Sequence, residues 1–250
     1  NEVCTQKKFL SSYPAIDFYI KGEGEIAFVD LFQNLEKLDF NVDAFKRNRV
    51  KSGNCHYIFN NELIEGETLP RIENLDDIPS PYLSGSLDKF FDKFLTPTIQ
   101  TIRGCPFKCT FCYRMDPGYR KRSAELLLDE VEMLHKDYGI TYIAFEDDLL
   151  MSSVVHTEEV CKEFLKRNLP VKWWCNGRLN YCSEELLQLM KDAGCVFINY
   201  GIESMDQTVL NNMKKGLRPE MIIQGIEDTL KVGISPGLNF IFGNKGDNKK

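Results

Sequence analysis

The chain has 250 residues, 43% of them hydrophobic and 27% charged, which is enough apolar material for a substantial core in about one to two domains. A net charge of −6 argues against a generic nucleic-acid binder, and no apolar run approaches the length that spans a bilayer. Nine cysteines, an odd count, suit a reducing cytoplasm better than a disulfide framework.

Residues 1 to about 38 read as a polar entry, a short strand Ile16–Ile20, a turn over Lys21–Glu25 and a helix carrying Ile26, Val29, Phe32 and Leu35. One strand and one helix cannot cover their own apolar surfaces, so this segment needs a partner. The glycines of Gly22-Glu23-Gly24-Glu25 are a weak phosphate-loop signal, because neighbouring acids repel phosphate; a tight turn with acids at a helix N-terminus is favoured. Between residues 40 and 69 a small β element is expected, with Tyr57-Ile58-Phe59 and Leu63-Ile64 on either side of Asn60-Asn61, a pair that tolerates positive φ. Pro70, Pro79, Pro81 and Pro97 then punctuate a connector, which Phe90, Phe91 and Phe94 are expected to seal onto the core.

From Thr98 the pattern becomes repeated strand and helix. Strand Thr98–Ile102 leads to a cysteine-rich loop and a helix capped by Ser123, with Leu127, Val131, Leu134 and Tyr138 on one face and Gly139 at its end. Strand Ile140–Phe145, a helix over about 157–168, strand Val171–Asn176, a helix capped by Ser183 and strand Cys195–Tyr200 follow. A short helix holds Val209, Leu210 and Met213; a longer one opens on Pro219 and closes at Gly233, before strand Leu238–Phe242. Such alternation predicts an α/β fold, a parallel sheet curling toward a partial (β/α) barrel, with function at the strands' C-terminal ends.

The loop reads Arg103-Gly104-Cys105-Pro106-Phe107-Lys108-Cys109-Thr110-Phe111-Cys112-Tyr113, with its three cysteines four and then three positions apart. Thiolates so crowded suit a soft metal centre, whereas a disulfide would strain the loop and leave one sulfur over. A cubane iron–sulfur cluster held by three thiolates keeps one iron open for chemistry. A structural zinc would want a fourth ligand, and His135 is distant; an electron-transfer ferredoxin would want four cysteines. Cys4, Cys55, Cys161, Cys175, Cys182 and Cys195 are scattered and read as small core residues. Arg103, Lys108, Arg114, Arg120, Lys121 and Arg122 surround the loop, either as solvated charge or as a positive field for an anionic substrate or reductant.

Three strand ends carry polar groups. Glu146-Asp147-Asp148 repel one another too strongly to be casual core residues, so they are exposed or face a cation. Arg178, after Trp173-Trp174-Cys175-Asn176-Gly177, could fork onto a carboxylate. In Tyr200-Gly201-Ile202-Glu203, Gly201 permits close backbone approach and Glu203 can accept from hydroxyls.

Cys-x-x-x-Cys-x-aromatic-Cys, with Phe111 as the aromatic, resembles the cluster loop of the radical S-adenosylmethionine enzymes. The resemblance implies a [4Fe–4S] cluster on Cys105, Cys109 and Cys112, and S-adenosylmethionine chelated by the open iron and cleaved by one electron to methionine and a 5′-deoxyadenosyl radical. A flavodoxin- or ferredoxin-type reductant is implied as well. It assigns the cofactor's ammonium to Asp147, with Glu146 and Asp148 beside it, its carboxylate to Arg178 and its ribose to Glu203 and Gly201. Asn239-Phe240-Ile241-Phe242-Gly243 resembles the stretch lining the adenine, although Asn244-Lys245-Gly246-Asp247 stands where relatives have Pro-Gly-Glu.

Asp17 to Glu25 resembles the end of the cobalamin-binding domain found in one branch of that family, and Leu75–Tyr82 the bridge that follows it. The implied organisation is residues 1–40 as the remnant of a Rossmann-like cobalamin-binding domain, 41–97 as a small β element and linker, and 98–250 as the core, with a sixth unit expected past residue 250. The implied activity is cobalamin-dependent methyl transfer to an unactivated carbon or phosphorus of a small-molecule or natural-product substrate. A radical cyclase or rearrangement enzyme is the alternative, and an electron carrier or a zinc module remain as non-catalytic rivals.

Overall fold

The computed structural model describes residues 2–91, 96–112 and 118–247, with side chains from Lys7 onward. The chain forms two compact units, residues 1–73 and 74–250, so the division falls between the boundaries at 40 and 97 expected from sequence. The first unit holds α1 (Glu2–Ser12), β1 (Tyr19–Ile20), α2 (Glu25–Glu36), α3 (Val42–Arg47), β2 (Cys55–Phe59) and β3 (Glu62–Glu65). α1 lies where a polar entry is expected.

The partner that the first strand needs is supplied within this unit. β1 pairs antiparallel with β2 (Tyr19↔His56, Ile20↔Cys55), and β2 with β3. Asn60 and Asn61 turn the hairpin at φ of 48° and 60°. Leu31, Phe45, Cys55, Tyr57 and Ile64 form the small core, and Asp30 ties α2 to the next loop by accepting from Ser52 Oγ at 2.6 Å and Gly53 N at 2.7 Å. Ile26, Phe28, Val29 and Phe32 of α2 stay exposed.

The second unit is built on a parallel sheet of order β10-β9-β8-β7-β4. Its strands are β4 (Thr98–Ile99), β7 (Tyr142–Phe145), β8 (Lys172–Gly177), β9 (Cys195–Glu203) and β10 (Ser235–Phe240); a separate antiparallel pair, β5 (Ile102–Arg103) and β6 (Arg120–Lys121), lies outside it. The helices are α4 (Ala124–Tyr138), α5 (Val154–Arg167), α6 (Glu184–Asp192), α7 (Gln207–Asn212) and α8 (Pro219–Lys231). This is the partial α/β barrel expected. Ser123 caps α4 by accepting from Leu126 N, and Gly139 closes it in the left-handed conformation at φ 68°.

The alternation along β8 and β9 separates two faces. Trp173 and Cys175 of β8, with Ile198 and Tyr200 of β9, are fully buried under the helices, where Trp173 packs on Phe145 and Phe164 and donates Nε1–H to Ala193 O at 2.9 Å. Trp174 and Asn176 face the other way with Phe197 and Asn199. Helical packing here rests on the neighbouring connector too, since Phe91 meets Tyr82 and Tyr138; Phe90 is exposed, and Phe94 lies outside the described residues.

Several boundaries differ from the sequence reading, among them the first strand, which is Tyr19–Ile20 rather than 16–20, and β7, which starts at Tyr142 rather than Ile140. The strand expected over 98–102 stops at Ile99, because the N–H groups of Thr101 and Ile102 are taken by a side chain, Asp147, instead of the ladder. α5 begins at Val154 under a Ser153 cap, one turn earlier than expected. β9 continues to Glu203, and β10 spans 235–240 rather than 238–242. Pro236 reads as a breaker, yet β10 is an edge strand, where a missing N–H is tolerated.

Candidate functional site

β5 and β6 pair antiparallel (Ile102↔Lys121, Arg103↔Arg120) and close the neck of the cysteine loop. Gly104 opens the loop at φ 84°, a conformation that favours glycine. Its far side is pinned to the end of α7: Thr110 N donates to Met213 O at 2.9 Å and Thr110 Oγ1 to Asn212 O at 3.3 Å, carbonyls that a helix terminus leaves free. Within the basic run, Lys121 pairs with Glu159 at 2.6 Å and Arg122 with the buried Glu130 at 2.6 Å, while Arg114 lies outside the described residues.

Cys105 and Cys109 are half-buried and Cys112 is exposed. Burial pushes the Cys105 thiol up, offset in part by the Phe107 N–H, while Asp148, Cys109 and Cys112 add to the rise. Among the described residues, no three His, Cys, Asp or Glu side chains converge tightly enough for a single metal ion. As a donor set, three cysteine thiols are what a cubane cluster with one open iron takes. His135 is engaged elsewhere, with Nδ1 2.9 Å from Ile140 O.

The three acids after β7 separate. Asp147 is 2% exposed, and its carboxylate accepts from Thr101 N at 2.6 Å, Thr101 Oγ1 at 2.5 Å and Ile102 N at 2.8 Å. Burial pushes its carboxyl up to about 6 against those three hydrogen bonds. Asp147 thus faces the chain's own backbone and holds the break between β4 and β5. Glu146 and Asp148 are exposed, and Asp148 is the one that acts on Cys105.

Arg178 follows β8 and is 4% exposed. Its guanidinium lies 3.9 Å above the Phe107 ring, and Nη1 is 3.9 Å from Cys109 Sγ. Glu203 ends β9 at φ 68°, a strained position for a residue other than glycine, and pairs with Lys215 Nζ at 3.0 Å with both side chains 8% exposed. Lys215 also sits 5.5 Å from the centre of the Phe111 ring. Gly201 is needed here because a Cβ would fall 2.5 Å from Glu203 Oε1 and 2.9 Å from Lys215 Nζ. The close approach is made by the chain itself.

An asparagine ladder crosses the inner face. Asn239 Nδ2 donates to Asn199 Oδ1 at 3.0 Å, Asn199 Nδ2 to Asn176 Oδ1 at 3.1 Å, and Asn176 Nδ2 to Asp147 O at 2.8 Å. The cysteine loop meets Arg178 through Cys109 and Phe107, and reaches Glu203 through Phe111 and Lys215, while the ladder links Asn239 to Asp147. Lys215, Asn176 and Asn199 have no role assigned from sequence. The period of two along β8 and β9 would have placed both asparagines on one face, but nothing local marks Lys215 as the partner of Glu203.

Residues 99–250 match the family model described as the Radical SAM superfamily. An uncharacterized methyltransferase of Pyrococcus horikoshii is 30% identical over 237 residues, which cover 92% of this chain and 50% of that protein. An anaerobic magnesium-protoporphyrin IX monomethyl ester cyclase of Rubrivivax gelatinosus is 28% identical over 244 residues, 94% of this chain and 43% of the relative. The solved structure of the cobalamin-dependent S-adenosylmethionine radical enzyme OxsB, with aqua-cobalamin and S-adenosylmethionine bound, shares the fold at a TM-score of 0.74 and 22% identity, over 94% of this chain and 34% of OxsB. The chain thus spans half or less of each of these proteins. Because the family match runs over more than half of the chain and takes in the whole parallel sheet from Ile99 onward, the chain belongs to the radical SAM superfamily.

Proposed function

We propose that Cys105, Cys109 and Cys112 hold a [4Fe–4S] cluster and that the surrounding strand ends bind S-adenosylmethionine for reductive cleavage. The observation that carries this reading is the loop's anchoring at both sides, by β5–β6 and by the end of α7, with Cys109 Sγ 3.9 Å from Arg178 Nη1 and Phe111 5.5 Å from Lys215, the partner of Glu203. When bound, the cluster supplies one electron to the sulfonium. Asp148, exposed and acting on Cys105, takes the ammonium of the methionine moiety, while Asp147 behind it fixes the loop's entry. Arg178 faces the carboxylate. Glu203, steadied through Oε1 by Lys215, keeps Oε2 without a protein partner among the described residues and offers it to the ribose hydroxyls. Asn239, its amide oriented by the ladder, presents Oδ1 to an N–H of the adenine, and Phe111 borders the site.

Methyl transfer to a small-molecule substrate is the outcome favoured by the Pyrococcus horikoshii relative, and the Rubrivivax gelatinosus cyclase supports ring formation as the second reading. Cobalamin enters as a cofactor of the whole protein, by the likeness to OxsB. The single histidine of residues 1–73, His56, is 6% exposed within β2, so no step is assigned to cobalamin through residues 1–250. A flavodoxin- or ferredoxin-type donor in a reducing cytoplasm completes the proposal; no described helix is long and apolar enough to cross a membrane. Anaerobic reconstitution with iron and sulfide, reduction with dithionite and addition of S-adenosylmethionine should yield methionine and 5′-deoxyadenosine, or a methylated acceptor. Intact S-adenosylmethionine beside a fully reduced cluster counts against it.

A further inference from the structure

Lys215 and Arg178 both reach the cysteine loop, and among the described residues only Lys215 of the two has a carboxylate within ion-pair distance. Lys215 is neutralised by Glu203 at 3.0 Å. Arg178 is as deeply buried, yet among the described residues no carboxylate lies within ion-pair distance of it, and Nε has no partner at all. Its guanidinium directs one N–H toward Cys109 Sγ at 3.9 Å, while its carbonyl accepts from Tyr181 N at 3.1 Å and from Cys182 Sγ at 3.8 Å. A buried guanidinium without a counter-ion is strongly unfavourable, so the fold expects an anion at this place. The guanidinium carbon lies 3.9 Å over the centre of the Phe107 ring, itself 6.0 Å from the Tyr181 ring, and this contact helps hold the group beside the loop with an N–H toward the sulfur.

We infer that Arg178 is the built-in counter-ion of the Cys109 corner of the cluster and raises its reduction potential, beyond any contact with the ligand's carboxylate. The inference rests on the cluster reading above. A cubane with three thiolates is anionic, and uptake of one electron by the oxidised [4Fe–4S]²⁺ core, giving [4Fe–4S]⁺ with no bond formed or broken, makes it more so. A fixed positive charge in a poorly solvated site stabilises the reduced form more than the oxidised one, and an N–H donor to sulfur acts in the same direction. With Lys215 paired to Glu203, Arg178 is the buried cation that directs an N–H toward the Cys109 sulfur.

The test is a potentiometric titration of the cluster-loaded protein, without S-adenosylmethionine, followed by the electron paramagnetic resonance of the reduced state. Arg178→Gln should lower the ratio of reduced to oxidised cluster at fixed potential about tenfold, a shift of about 59 mV for one electron, and Arg178→Lys should lower it less than about threefold. In wild-type protein labelled with ¹⁵N-arginine, pulsed resonance of the reduced cluster should show coupling to an arginine nitrogen, a readout that needs no variant. A Gln variant with an unchanged midpoint, a Lys variant shifted as far as Gln, or absent arginine coupling would each overturn the inference. Failure of the wild-type protein to assemble any iron–sulfur cluster is a different result, and it removes the underlying reading instead.

Discussion

Asp147 offers a perturbation whose size follows from three hydrogen bonds. Asp147→Ala removes the acceptor of Thr101 N, Ile102 N and the Thr101 hydroxyl, at 2.6, 2.8 and 2.5 Å. Both N–H groups lie past the end of β4 and donate to this one carboxylate. A buried donor left unsatisfied costs about 1–3 kcal/mol, so stranding the two N–H groups should cost about 2–6 kcal/mol, the hydroxyl being free to rotate. Asp147→Asn keeps Oδ1 for the two N–H groups and offers its amide to Thr101 Oγ1, at a cost of about 1 kcal/mol. The carboxyl's pH dependence supplies a second check. Burial raises it from 3.8 to about 6, so its contribution to stability is full below about pH 4 and is lost as pH rises through 6. Between pH 5 and 7.5 that loss is about 1.4 kcal/mol, and Asp147→Asn should lack it. Urea unfolding of both proteins at the two pH values measures each quantity. An Ala variant costing under about 1 kcal/mol, or an Asn variant with the wild-type pH difference, would refute the reasoning.

Other substitutions probe the remainder of the site. Lys215→Met strands the buried Glu203 carboxylate and should destabilise by about 3–5 kcal/mol, with much of the loss recovered in the double variant with Glu203→Gln; a double-mutant cycle by denaturant unfolding reads the coupling. Gly201→Ala pushes on that same pair, so it should weaken S-adenosylmethionine binding in calorimetry while costing about 1–3 kcal/mol in stability. Asn199→Ala interrupts the ladder at its centre and should cost about 1–3 kcal/mol in thermal unfolding, since Asn176 and Asn239 each lose a partner. Trp173→Ala, on the helix-covered face, should cost about 3–5 kcal/mol by denaturant unfolding without changing S-adenosylmethionine affinity in the protein that remains folded.

What the sequence made legible was whatever depends on local chemistry. The Ser123 and Ser183 caps, the Gly139 stop and the Asn60-Asn61 turn all act over a few residues, and all are found where the residues imply them. The parallel α/β order was likewise readable from alternation. The break after Ile99 was not, because it depends on Asp147, a residue 46 positions further along the chain than Thr101. Asp147 itself carried the right chemical signal, an acid at a strand end, but local pattern does not tell which of three adjacent acids turns inward. The pairing of Glu203 with Lys215 and the approach of Arg178 to Cys109 are also long-range events, 12 and 69 positions apart. The division near residue 73 was hidden as well, because β1 finds its partner in a hairpin whose own pattern looks self-sufficient.

The central claim is that three cysteines leave one iron of a cubane open to S-adenosylmethionine. Electron paramagnetic resonance of the anaerobically reconstituted, reduced protein tests it most directly, recorded before and after adding S-adenosylmethionine, alongside a Cys109→Ala variant. A cubane signal should appear, shift its g-values on addition of S-adenosylmethionine and be lost in the variant. A signal indifferent to S-adenosylmethionine, or protein that binds zinc and no iron, would contradict it.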